Sequence, residues 1–155
     1  MSNQIIKIKC DFYLIRFLES IFGPQPIKFP KSHNFNNILS YNLGFIPPDY
    51  QDPDFGNETL LVELPYFENK DPRVYNYLSP KQQKIFRDEV YCLFKLTFRT
   101  DITKILLMQF KRQKKRALEM FIDKYNIPLD CWDMLDKDYS RHIQLTWKKK
   151  KRVFR

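Results

Sequence analysis

Six of the ten prolines fall between residues 24 and 58. Proline has no backbone donor and a fixed φ, so it interrupts both helix interiors and central strands. Several Asn and Asp residues stand among them. The spacing predicts an irregular arm over residues 24–58, with no more than a short helix around residues 35–41.

Regular structure must then flank the arm. Ile5-Ile6-Lys7-Ile8-Lys9 partly alternates, as an exposed strand does. Asp11 is placed to cap a helix carrying Phe12, Leu14, Ile15, Leu18 and Phe22 at helical spacing, and Gly23 with Pro24 and Pro26 supplies its stop. Beyond the arm, residues 59–64 form the best strand pattern in the chain, and Pro65 ends it or puts it at a sheet edge.

At Ser79 the character changes. Ser79-Pro80 pairs an N-cap with the first-turn proline that helices favour. Ile85, Phe86, Val90, Leu93, Phe94 and Thr97 make one apolar face, and Thr100-Asp101 reads as the restart of a second helix carrying Ile102, Ile105, Leu106 and Phe110. The fold class expected is α+β. A small N-terminal strand and coil region, residues 1–78, carries the Pro/Asp-rich arm; a mainly α-helical half, residues 79–155, follows within one compact unit. Phe12, Phe17, Phe22, Phe86, Phe94, Phe98 and Phe110 are expected in the core.

Composition excludes several classes of chemistry. Gly23, Gly44 and Gly56 are the only glycines, too far apart for a phosphate-cradling loop. Cys10, Cys92 and Cys131 are odd in number and lack CxxC spacing, which points to a reducing compartment and away from disulfides or a zinc ribbon. His33 and His142, the only histidines, are too distant in sequence for a ligand pair, and no Ser–His–Asp or Cys–His set is credible. No metal, cofactor, small-molecule substrate or catalytic role is therefore expected. Pro53-Asp54 followed by Glu68-Asn69-Lys70 superficially matches the carboxylate–lysine arrangement of metal-dependent nucleases. That chemistry wants the second carboxylate and the lysine on a strand, whereas Glu68-Asn69-Lys70-Asp71-Pro72 reads as a turn. Residues 47–54 read instead as an arm for a protein partner or self-association, or as a segment lying against the chain's own basic helices.

The N-terminus lacks a basic leader region, and Lys7, Lys9 and Arg16 break the apolar stretch after it. Neither a signal peptide nor a membrane span is expected. A basic tail alone is a weak lipid anchor, because stable anchoring takes two signals. The expected location is cytoplasmic.

Charge is what the chain concentrates. The net charge is +9, and residues 101–155 carry +8 of it, with 15 Lys/Arg against 7 Asp/Glu. Two clusters dominate: Lys111, Arg112, Lys114, Lys115 and Arg116, then Lys148, Lys149, Lys150, Lys151 and Arg152. Such density attracts a polyanion, since each neutralised phosphate releases a condensed counterion.

Between the clusters, Phe121, Tyr125, Ile127, Trp132 and Leu135 are apolar at i, i+4, i+6, i+11 and i+14. Asn126 falls where a first helix must turn and tolerates left-handed backbone. Pro128 suits an early position of a second helix. Over residues 113–150 this resembles the helix-turn-helix pattern of DNA-binding proteins, including regulators carried by phages and other mobile elements. Ile122 stands where that pattern usually has Ala. Asp130 and Asp133 stand where bases are usually met, and they suit the positive end of a helix.

The second helix carries two stripes. Trp132, Leu135, Tyr139, Ile143 and Trp147 are apolar; Lys137, Arg141, Gln144, Lys148 and Lys151 lie on roughly the opposite face. The resemblance implies a non-enzymatic nucleic-acid-binding protein, with duplex DNA as partner and a regulator or accessory role in a phage or mobile element. Lys111, Arg112, Lys114, Lys115 and Arg116 meet phosphate in this reading. Lys137, Arg141 and Gln144 face base edges, and Lys148, Lys149, Lys150, Lys151 and Arg152 extend the backbone contact. The alternative is a phage or mobile-element assembly protein, located in the virion, whose arm pairs with neighbouring subunits and whose basic tail, residues 148–155, contacts packaged nucleic acid.

Overall fold

The computed structural model describes the backbone of residues 4–108 and 114–153, and the side chains of residues 4–107 and 114–145. The order is β1 (Ile5–Lys9), α1 (Phe12–Phe22), α2 (Asn34–Asn42), β2 (Gly44–Phe45), β3 (Thr59–Glu63), β4 (Tyr75–Tyr77), α3 (Pro80–Met108), α4 (Lys114–Tyr125) and α5 (Trp132–Val153). Short 3-10 turns, Gly56–Glu58 and Leu129–Cys131, precede β3 and α5. This is an α+β fold, mainly helical in its C-terminal half. The chain divides into two compact units, Met1–Cys92 and Leu93–Arg155, and the division falls inside α3. The change of composition at Ser79 marks the start of that helix. No described helix is long and apolar enough to cross a membrane.

In the N-terminal unit, β1 pairs antiparallel with β3, Ile6 opposite Val62 and Ile8 opposite Leu60. All four are buried. β1 is thus not the exposed strand expected. Its period-two pattern presents one fully buried face, while Ile5 stays half exposed. Lys9 N donates to Gln83 Oε1 at 3.0 Å, fastening β1 to α3. The adjoining Cys10 is buried, and that burial pushes its thiol up to about 12.

The arm is corrected in its first part. Ile27 bridges to Val62 in parallel, donating to Leu61 O at 2.8 Å and accepting from Glu63 N at 2.9 Å. Pro24 and Pro26 remove their own donors but leave that of Ile27 free to join the sheet. Ile27, Phe29, Phe35, Leu39 and Leu43 are all buried. Ring centroids 5.0 Å apart link Phe22 to Phe29 and Phe29 to Phe35, and Phe35 lies 5.3 Å from Phe86 of α3. α2 is the expected short helix. His33 caps it, with Nδ1 accepting from Phe35 N at 3.2 Å, and burial lowers the imidazole's pKa. Farther along, Asp52 pairs with Lys7 at 2.5 Å, which brings the Pro/Asp segment onto β1. Among the expected core aromatics, Phe12 departs at 39% exposed, with the Arg16 guanidinium 5.2 Å from its ring centroid, and Phe22 is only half-buried. Phe110 lies outside the described residues.

α3 begins with a reciprocal cap. Ser79 N donates to Gln82 Oε1 at 2.8 Å, and Gln82 N donates to Ser79 Oγ at 3.4 Å. Phe86, Val90, Phe94, Phe98 and Ile102 then recur every fourth residue and are all buried. The expected restart at Thr100-Asp101 does not occur, and the helix runs unbroken to Met108. Thr100 Oγ1 donates to Leu96 O at 2.8 Å and Thr103 Oγ1 to Arg99 O at 2.7 Å. Both hydroxyls are satisfied by the preceding turn, so neither is needed to cap a new one.

Candidate nucleic-acid interface

The C-terminal unit is built on aromatic contacts from α3 and α4. Phe121 of α4 packs 5.9 Å from Phe94 and 4.9 Å from Phe98, both edge-on, and Tyr125 follows at 4.7 Å. Asp101 ties the same helices together, accepting from Lys124 Nζ and from Tyr125 OH at 2.7 Å each.

α4 ends as the residues dictate. Asn126 takes the left-handed conformation at φ 51°, and Ile127 N reaches back to Ile122 O at 3.0 Å, closing the six-to-one bond of a Schellman motif. Ile127 is buried over the turn. Pro128 is not inside the second helix as expected. It is extended, at φ −60° and ψ 141°, and caps the 3-10 turn Leu129–Cys131, with Cys131 N donating to Pro128 O at 3.1 Å. α5 therefore starts at Trp132, after a longer connection than the three- or four-residue turn of a compact helix-turn-helix unit.

α5 buries one side and exposes the other. Leu135 and Asp138 are buried, Trp132, Tyr139 and Ile143 are half-buried, and Lys137, Arg141 and Gln144 are exposed. Trp132 is thus not the deep core residue of the crossing; Phe121 and Leu135 fill that role, at 0% and 1% exposure. The backbone helix continues through Lys148, Lys149, Lys150, Lys151 and Arg152 to Val153, while their side chains lie outside the described residues.

The carboxylates of α5 are not spread evenly. Asp138 pairs with Lys95 at 3.2 Å, and Asp136 pairs with Lys114 at 2.6 Å. Lys114 also donates to Ser140 Oγ at 3.1 Å and lies 5.2 Å from the Tyr139 ring centroid. Lys114, expected from the sequence to meet phosphate, is a staple between α4 and α5. Lys115 and Arg116 are exposed on α4, with Lys115 3.9 Å from Glu119. Lys111 and Arg112 lie outside the described residues. Lys137 and Arg141 form no ion pair among the described residues, so with Gln144 they present an uncompensated cationic face, led at its start by the exposed Asp133.

No protein-family model, curated protein or solved structure matches the chain.

Sequence reasoning missed the Lys95–Asp138 pair. Its signal was an acid in the middle of an apolar stripe, three residues after Leu135 and one before Tyr139. The two parts of the nuclease-like pattern are separately engaged: Asp54 Oδ1 accepts from Gly56 N at 2.9 Å, and Lys70 Nζ donates to Leu43 O at 2.8 Å. Glu68 and Asn69 form a turn, as expected, which Lys70 closes by bridging to Phe67. Among the described residues, no three His, Cys, Asp or Glu side chains are placed to share a metal ion.

Proposed function

We propose that this protein binds duplex DNA through its C-terminal unit, as a non-enzymatic nucleic-acid-binding protein, with the cationic face of α5 entering a groove. One observation carries the reading. α5 directs Asp136 and Asp138 to Lys114 and Lys95, which leaves Lys137, Arg141 and Gln144 exposed together. A helix with a dry side and an unneutralised cationic side has the dimensions and charge that a major groove accepts. The +8 charge of residues 101–155 supplies sequence-independent attraction, and the turn at Asn126 supports the helix-turn-helix resemblance.

Two substitutions separate reading from positioning. Arg141→Ala should lower affinity for a preferred site more than for random duplex, with about 1–3 kcal/mol of discrimination lost. A combined Lys149→Ala and Lys150→Ala change should weaken all duplexes about equally. Competition binding with a selected and a random duplex distinguishes them. An Arg141→Ala protein that loses both duplexes equally marks non-specific binding, the behaviour expected of an assembly protein facing packaged nucleic acid.

A further inference from the structure

We propose that a groove of the C-terminal unit, between α3 and α5, is a phosphate seat built on Arg99 and Lys104, taking one phosphodiester of a bound nucleic acid. The groove has a volume of about 550 Å³. Arg99 and Lys104 line it from α3, and His142 and Leu145 from α5. Arg99 Nε is shielded from solvent and has no hydrogen-bond partner among the described residues. A guanidinium so poorly bonded within the protein is costly, and because Arg99 also lines the groove its charge is available to an anion bound there. Lys104 is exposed, and neither cation forms an ion pair among the described residues.

The nearby acids are engaged elsewhere. Asp101, whose carboxylate feels the charge of Lys104, already accepts from Lys124 and Tyr125, and Asp138 holds Lys95. The groove therefore faces its opening with net positive charge. Thr103 Oγ1 donates to Arg99 O at 2.7 Å, and His142 Nε2 lies 3.0 Å from the same hydroxyl, which fixes the imidazole at the groove. Leu96 and Leu145, 65% and 56% exposed, flank the cations with apolar surface that suits a sugar ring beside a phosphate. The duplex reading also favours this occupant over an acidic peptide, because His142 and Leu145 each directly follow a residue of the exposed face, Arg141 and Gln144. To that extent the seat rests on the proposed function.

The two histidines belong to different units, so proton NMR of the full chain carries its own control. Inorganic phosphate, a short DNA duplex and poly-glutamate are titrated separately while the His33 and His142 ring protons are followed. Phosphate and duplex should each move His142 and raise its pKa, which burial and the Arg99 charge now hold down against Asp138; His33 should stay still. Arg99→Gln and Lys104→Gln should each weaken phosphate binding about tenfold. Lys104 is exposed, so its variant tests the seat even where Arg99→Gln unfolds. A response to phosphate but not to duplex keeps the seat and removes the duplex reading. Duplex binding that leaves His142 still, or a response to poly-glutamate without one to phosphate, overturns the seat.

Discussion

Asp101 carries two obligations at once. Burial pushes its carboxyl up, but the hydrogen bonds from Lys124 and Tyr125 together outweigh that and hold it below its ordinary value. A depressed folded-state pKa gives stability that is present above the unfolded value, about 3.9, and lost as pH falls through the folded value. Asp101→Asn should destabilise the C-terminal unit by about 1–3 kcal/mol at neutral pH, with the gap to the parent protein closing in acid; denaturant melts at several pH values measure it. His33 carries a different window. Its lowered pKa means stability that is full above the unfolded value of about 6.5 and lost as pH falls toward the folded one. Protonation also puts a hydrogen on Nδ1, the atom that accepts from Phe35 N. Melts between neutral and mildly acidic pH should show this loss in the parent and a flatter profile in His33→Asn, which keeps a capping side chain but does not titrate. Residue-scale features with local causes are legible in the sequence. Asn126 marks the turn because few residues accept its backbone, and Ser79-Pro80 marks a helix start because that pair fits nowhere else as well. His33 does not read as a cap, since its role depends on the aromatic packing around it.

At the scale of elements, α3 is the instructive case. Its apolar face is legible, but the break at Thr100-Asp101 is not real, because a Thr that bonds back to its own helix looks the same in sequence as one that caps a new helix. Thr100→Pro separates the two. Thr100 is exposed, so the change opens no cavity; it removes the backbone donor along with the hydroxyl bond to Leu96 O, and in a continuous helix it should cost about 3 kcal/mol or more; a thermal melt that barely moves would restore the break. The Pro-rich segment shows the opposite limit. Proline spacing predicts the lack of long elements and the short α2. It hides the bridge from Ile27 to Val62, because a long-range pairing follows from which surfaces meet and leaves no periodicity in a single residue.

For the whole chain, the charge asymmetry is legible in the sequence and the assignment of individual charges is not. Lys114 and Lys137 look alike in sequence, yet one is paired between helices and the other is open, because the partner of each depends on how the faces of α5 are turned. If about six phosphates are contacted, the logarithm of the binding constant should fall with the logarithm of salt concentration at a slope of about −5, measured by titration of a duplex at several salt concentrations; a slope near zero would remove the electrostatic account. The position of the unit division inside α3 has a consequence for where the chain can be cut. A piece starting at Leu93 opens in mid-helix, with its first amide donors stripped of the carbonyls of the preceding turn and with no cap in their place. A fragment of residues 93–155 should therefore be less helical than one of residues 79–155, which keeps the cap, and circular dichroism of the two checks it.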